Sequence, residues 1–226
     1  MRVASFATIL LAGAGLLAAK DSADVQRLTR AAEVFSEVMD TPDKGIPQGL
    51  LDKAHCVAVI PGMKKAAFIF GAKYGRGFVS CRASGRVGWG APAAVRIEGG
   101  SFGLQIGGAE TDVILLIMNE RGVQRLLSSK FTLGGDASVA VGPVGREATA
   151  QTDAYMTAEI LSWSRSRGVF AGLSLSGATL RQDLGSNRAL YGRTLENREI
   201  LQKDIKPPAA ASGFLSTLNK YSSRKS

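Results

Sequence analysis

Between residues 22 and 40 the apolar residues Val25, Leu28, Ala32, Phe35 and Met39 recur three and four apart, the spacing of one helix face. Ser22 stands at an N-cap position and Pro42 lies beyond the end, so the pattern predicts an amphipathic helix. Its other face carries Arg27, Arg30, Glu33 and Glu37 and is mixed rather than basic. A second, short helix is predicted over 47–54, opened by Pro47, whose missing N–H costs nothing in a first turn. From 56 to 119 the period shortens. CVAVI, AAFIF, GRGFVSC, AAVRI, SFGLQIG and TDVILLIM are brief apolar runs punctuated by Gly and Pro, the signature of closely spaced strands, with Pro61-Gly62 and Tyr74-Gly75 read as turns. Val123, Leu126 and Leu127 predict a helix over 120–129, and ASVAVGP, EILSWS and GVFAGLSL predict further strands. Helical character returns over 181–202 through Leu184, Leu190, Leu195, Ile200 and Leu201. The order predicts an α+β fold: an N-terminal amphipathic helix, a closed or strongly curved, mostly antiparallel β-sheet, and C-terminal helices.

The ends carry different signals. MRVASFATILLAGAGLLAAK has Arg2, an apolar run over 3–19 and small residues at its close, which reads as a signal peptide over 1–19 or, alternatively, a signal anchor. The expectation is therefore an exported chain, periplasmic or secreted. In such a compartment Cys56 and Cys81 either pair or stay as two buried free thiols. Beyond Lys203 come Pro207-Pro208, an Ala/Ser/Gly linker and FLSTLNKYSSRKS. Phe214, Leu215, Leu218 and Tyr221 share a helical face beside Lys220, Arg224 and Lys225. So short a helix is marginal alone in water, so 203–226 is expected to be a basic, flexible tail, with a helix lying on an anionic surface as the alternative.

Composition narrows the chemistry. The chain has 226 residues, 45% of them hydrophobic, enough for one core, and 28 Lys plus Arg against 19 Asp plus Glu give a net charge of +9. One His and two Cys exclude multi-histidine metal sites and a four-thiolate zinc site. Neither the P-loop spacing nor G-x-G-x-x-G occurs, so no cofactor is expected. GGSFG over 99–103 matches a nucleophile elbow at Ser101. That hydrolase fold, however, needs its His downstream, and the one His, His55, lies upstream. Glu110 and Asp112 alternate on one strand face, as a solvated edge or a cation site. No enzyme is expected. Residues 53–97 hold eight basic residues and no acid, and 203–226 hold five basic residues and one acid, so the charge is concentrated in two blocks that favour an anionic partner. Trp89 and Trp163 are not interleaved with the basic cluster, which argues against nucleic acid. Lys64 and Lys65 follow the Pro61-Gly62 pair, and Lys73 and Arg76 flank Tyr74-Gly75. These four, with Arg82 and Arg86, are the expected lipid-binding residues.

Five blocks in succession resemble the SYLF domain family of yeast and animal actin-patch regulators and small bacterial exported proteins. They are IPQGLLDKAHCVAVIPGMKKAAFIFGAKYGRG (46–77), GWGAPAAVRIEGGSFGLQIGG (88–108), GGDASVAVGPVGREA (134–148), SWSRSRGVFAGLSLSGA (162–178) and NRALYG (187–192). The similarity covers 22–202. Trp163 stands where the family usually has Tyr, which keeps an aromatic and loses a hydroxyl donor. The resemblance implies a non-enzymatic domain that binds anionic phospholipid head groups, phosphoinositide-like, at a membrane surface. Actin binding is known in the family too, but actin is not expected as a partner of an exported chain. The alternative is a structural or partner-binding envelope protein whose basic face docks an acidic protein or polysaccharide.

Overall fold

The computed structural model describes residues 7–41, 45–67, 70–82, 87–102, 107–143, 157–166, 169–170 and 175–223, with side chains from residue 23 onward except at 66–67, 70–71, 101–102, 107–109 and 169–170. Helix α1 (Ala7–Met39) and the short α2 (Gln48–Lys53) precede four long strands, β1 (Cys56–Ala67), β2 (Phe70–Cys81), β3 (Ala93–Phe102) and β4 (Gly107–Ile117). Then come α3 (Glu120–Leu126), β5 (Lys130–Thr132), β6 (Val139–Val141), β7 (Ile160–Ser166), β8 (Val169–Phe170) and β9 (Thr179–Gln182). The chain ends with α4 (Leu184–Tyr191), α5 (Asn197–Gln202), a 3-10 turn (Ala209–Ala211) and α6 (Ser212–Tyr221). The fold is α+β, as expected. Among the described residues no helix is long and apolar enough to cross a membrane.

One sheet runs in the order β5-β9-β3-β2-β1-β4-β7-β6, with β8 added on β7. Every pairing is antiparallel except β6 with β7, so the sheet is mixed. β5 and β6 stand at opposite ends of this order, yet only residues 133–138 join them, a span of at most about 20 Å. Two edges that close can be linked only if the sheet curls round on itself.

Curling gives the sheet an inside and an outside, and strand alternation sorts side chains between them. Ala58, Ile60, Met63, Val79, Val95, Ile97, Val113, Leu115 and Leu180 fill the inner face. Val57, Val59, Phe78, Ala94, Ile114, Leu116, Leu161 and Trp163 form the outer face, covered by α1, α2 and α6. The buried positions of α1 are Asp24, Leu28, Ala31, Val34, Phe35 and Val38, whereas Val25 is 40% exposed. The helix is therefore rotated from the face its apolar residues suggest. Asp24 enters the core because Ser186 and Arg27 satisfy one of its oxygens, which no hydrophobic pattern displays. Trp163 is not short of a donor either: its indole N–H donates to the Pro143 carbonyl at 2.9 Å.

Three sequence expectations are corrected. Pro61-Gly62 is a bulge inside β1, where the register to both neighbouring strands shifts. Gly62 adopts φ +59°, and its N–H donates to Asp112 at 2.9 Å. Tyr74-Gly75 is no turn but the middle of β2. A Cβ on Gly77 would lie 2.0 Å from the Val59 carbonyl oxygen, so its glycine marks close approach in the curled sheet. Third, the segment expected as a flexible tail contains α6, whose Phe214 and Leu218 are buried against α1. The Phe35 and Tyr221 rings meet edge to face at 5.9 Å, and the Tyr221 hydroxyl donates to Asp40 at 2.6 Å. The apolar face of α6 is thus committed to the protein.

Candidate anion-binding site

The three expected lipid-binding lysines stand where β1 runs out and β2 begins. The bulge at Pro61-Gly62 resets the alternation of β1, so that Lys64 emerges on the outer face and Lys65 on the inner. Lys64 lies across from Tyr74 on one side and Glu110 on the other. Lys65 is directly opposite Lys73, and their other cross-strand neighbours are Ala109 and Gly99, neither of which carries charge. Lys73 continues the inner line of Gly75, Gly77 and Val79 and is only 8% exposed. Burial, reinforced by the charge of Lys65, pushes the Lys73 ammonium below the usual lysine range.

The arginines do other work. Arg76 shares the outer face with Phe78 and turns toward α4. Its Nε donates to Asp183 at 2.7 Å and its Nη2 to the Ser186 hydroxyl at 2.6 Å. Ser186 in turn donates to Asp24 at 2.9 Å, so one network joins α1, β2 and α4. Burial alone would raise the Asp183 carboxyl, but the Arg76 hydrogen bond, the Ser186 amide and the nearby guanidinium charges hold it below the usual carboxylate range. Arg82 is equally internal. It donates to the Leu51 carbonyl at 3.1 Å and the Ser222 carbonyl at 2.7 Å, and stacks 3.8 Å from the centre of the Trp89 ring. Arg82 clamps the ends of α2 and α6 together. Arg86 lies outside the described residues.

Cys56 and Cys81 are cross-strand partners at the far end of the β1–β2 pair and are joined by a disulfide. Asp112 is taken up by the Gly62 amide and by Arg165 at 3.5 Å, so it serves the bulge rather than a cation. Asn187 is a buried tie. It accepts from the Ala94 amide at 2.7 Å and donates to Asn197 at 2.8 Å, fixing α4 to β3 and α5.

A second cationic group escapes the sequence pattern. Arg96, Arg181 and Lys130 are successive cross-strand partners on β3, β9 and β5, and Arg76 extends the row on β2. The row needs β5 and β9, and neither stands out as an apolar run: β9 reads Thr-Leu-Arg-Gln, with one apolar residue.

Residues 98–221 match the Ysc84 family, described as "Las17-binding protein actin regulator". The rat "SH3 domain-containing YSC84-like protein 1" is 32% identical over 205 residues, which is 89% of this chain and 59% of that protein. The fission yeast "SH3 domain-containing protein PJ696.02" is 35% identical over 177 residues, covering 77% of this chain and 41% of the relative. "Protein YSC84" of Saccharomyces cerevisiae is 32% identical over 179 residues, 78% of this chain and 38% of its own length. The chain thus spans about three-fifths or less of these relatives. A match over more than half its length, with relatives aligned across most of the curled sheet and its helices, means that the chain belongs to the Ysc84 (SYLF) domain family.

Proposed function

We propose that this domain binds anionic phospholipid head groups at a membrane surface, without catalysing a reaction, through Lys64, Lys65 and Lys73. The observation that carries this is the register of Lys65 directly against Lys73. Like charges placed opposite each other on adjacent strands oppose folding, and burial of Lys73 adds to the cost. A phosphate between the two ammonium groups turns that repulsion into attraction. Near an anionic surface each lysine contributes about 1 kcal/mol, so the three together contribute roughly 3 kcal/mol. Head groups with several phosphates, phosphoinositide-like, fit the two inner lysines better than singly charged ones.

Export belongs to the same proposal. The Cys56–Cys81 disulfide supports an oxidising compartment, consistent with 1–19 as a signal peptide or anchor and with a periplasmic or secreted, peripherally membrane-associated protein. The family description favours a second reading, in which the lysines dock an acidic protein. The expectation that actin is no partner rested on export alone and finds no support in these relatives.

The test is flotation of the full chain with phosphatidylcholine vesicles, with and without phosphatidylglycerol or a phosphoinositide, against Lys64→Gln/Lys65→Gln/Lys73→Gln. Arg76 and Arg82 stay intact, because their loss would disturb the fold. Anionic vesicles are expected to carry the wild type and not the triple variant, with circular dichroism unchanged. Equal flotation of both proteins would refute the site. Failure of the wild type on every vesicle, with stoichiometric capture of an acidic protein, would favour the second reading.

A further inference from the structure

The row Arg76, Arg96, Arg181 and Lys130 places four cations side by side across β2, β3, β9 and β5 on the outer face of the sheet. Arg76 is neutralised by Asp183. Arg96 and Arg181 share one carboxylate, Glu98, at 2.8 and 3.3 Å. Lys130 has no carboxylate within ion-pair distance among the described residues. The four cations of the row therefore meet two carboxylates, Asp183 and Glu98, an excess of two positive charges. Arg96, Arg181 and Lys130 border a cleft of about 220 Å³ whose walls also include the Asp183 carboxylate that pairs with Arg76, Ser129 and the first residues of α4, Leu184 and Gly185. Arg96 and Arg181 are half-buried and Lys130 is exposed, and the Arg96 Nε is buried beside Glu98 without an aligned hydrogen bond.

Such a row opposes folding for the same reason as the lysine pair, and two carboxylates balance only half of its charge. We propose that this cleft binds a phosphate monoester. The ester carries close to two negative charges at neutral pH, equal to the local excess. Arg181 offers the planar fork that grips two phosphate oxygens, and Lys130 supplies a mobile point charge. Leu184, 38% exposed on the rim, sets an apolar side chain beside the anion. The monoester arrives either as a free metabolite or as the head of a lipid. This site lies on the opposite face of the sheet from Lys65 and Lys73 and shares no residue with the proposal above.

The test separates the two sites and the two sources. Glycerol 3-phosphate titrated calorimetrically into the full chain is the soluble probe. Co-sedimentation with phosphatidylcholine vesicles, with and without phosphatidate, is the membrane probe. Each is applied to the wild type, to Arg181→Gln/Lys130→Gln, whose side chains are solvent-accessible, and to the triple lysine variant. The wild type is expected to bind at least one probe saturably, and Arg181→Gln/Lys130→Gln to lose about tenfold or more in affinity, while the triple lysine variant retains binding of that probe. Binding of the soluble ester assigns a free metabolite, and binding of phosphatidate vesicles alone assigns a lipid. Equal affinities of the wild type and Arg181→Gln/Lys130→Gln for both probes, no binding of either, or loss only in the triple variant would overturn the proposal.

Discussion

Arg76 and Asp183 meet with Nη2 2.6 Å from Oδ2, and this contact fastens the middle of β2 to the N-cap of α4. Asp183 is almost wholly buried and also accepts from the Ser186 amide, so the pair is a structural joint. Removing one partner strands the other in a low-dielectric site, which costs about 3 kcal/mol. Arg76→Gln is therefore expected to lower the unfolding free energy by that amount, read as a lower urea midpoint at an unchanged slope, while vesicle binding by the folded protein persists. A variant as stable as the wild type would remove Arg76 from the joint.

The same contact makes stability depend on acid. The folded Asp183 carboxyl lies below its unfolded value, so its stabilisation is fully present above about pH 4 and is lost as pH falls through the lower, folded value. Asp183→Asn is expected to be less stable than the wild type at neutral pH, with the gap closing below about pH 4. Denaturation curves at a series of pH values check this. A gap that stays constant into strong acid would assign the ionisation elsewhere.

The disulfide between Cys56 and Cys81 closes a loop with a sequence separation of 25. By chain-entropy reasoning a loop of that size contributes about 3 kcal/mol through the unfolded state. Cys56→Ala/Cys81→Ala is expected to lower thermal stability accordingly, and the wild type in reductant should approach it. If reductant leaves the melting temperature of the wild type unchanged, the bond does not form in solution.

How far the architecture could be foreseen depends on what each residue signals. Long apolar runs such as Val113–Ile114–Leu115–Leu116–Ile117 declare buried strands, and all five are buried. The basic block over 53–97 is equally plain in the sequence, but burial divides it: Lys64, Lys65 and Lys73 line the strand ends, whereas Arg76 and Arg82 hold helices in place. Nothing in a charge count distinguishes a guanidinium that caps helix carbonyls from one that meets a ligand. Lys130 and Arg181 sit in strands of three and four residues, too short for period-two alternation to register. Only the pairing of β9 with β3 and of β5 with β9 brings them beside Arg96.

Glycine is ambiguous in a sequence, because it marks turns and close approaches alike. In β2 the Gly75 and Gly77 positions face Ile60, Met63 and the backbone at Val59, where β1 crosses too near for any side chain. At Gly77 the obstacle is a carbonyl oxygen and the Ile60 Cα, backbone atoms fixed by pairing on both sides of β1. Unlike a flexible side-chain tip, these atoms move only if the strand moves. Gly77→Ala is accordingly expected to cost about 3 kcal/mol or more, beyond the usual range for overpacking. A turn glycine with φ below zero would tolerate the same change within a few tenths of a kcal/mol. Measured by urea denaturation, a near-neutral Gly77→Ala would mean that β1 and β2 lie farther apart than the curled sheet requires, and the inner juxtaposition of Lys65 and Lys73 would fall with it.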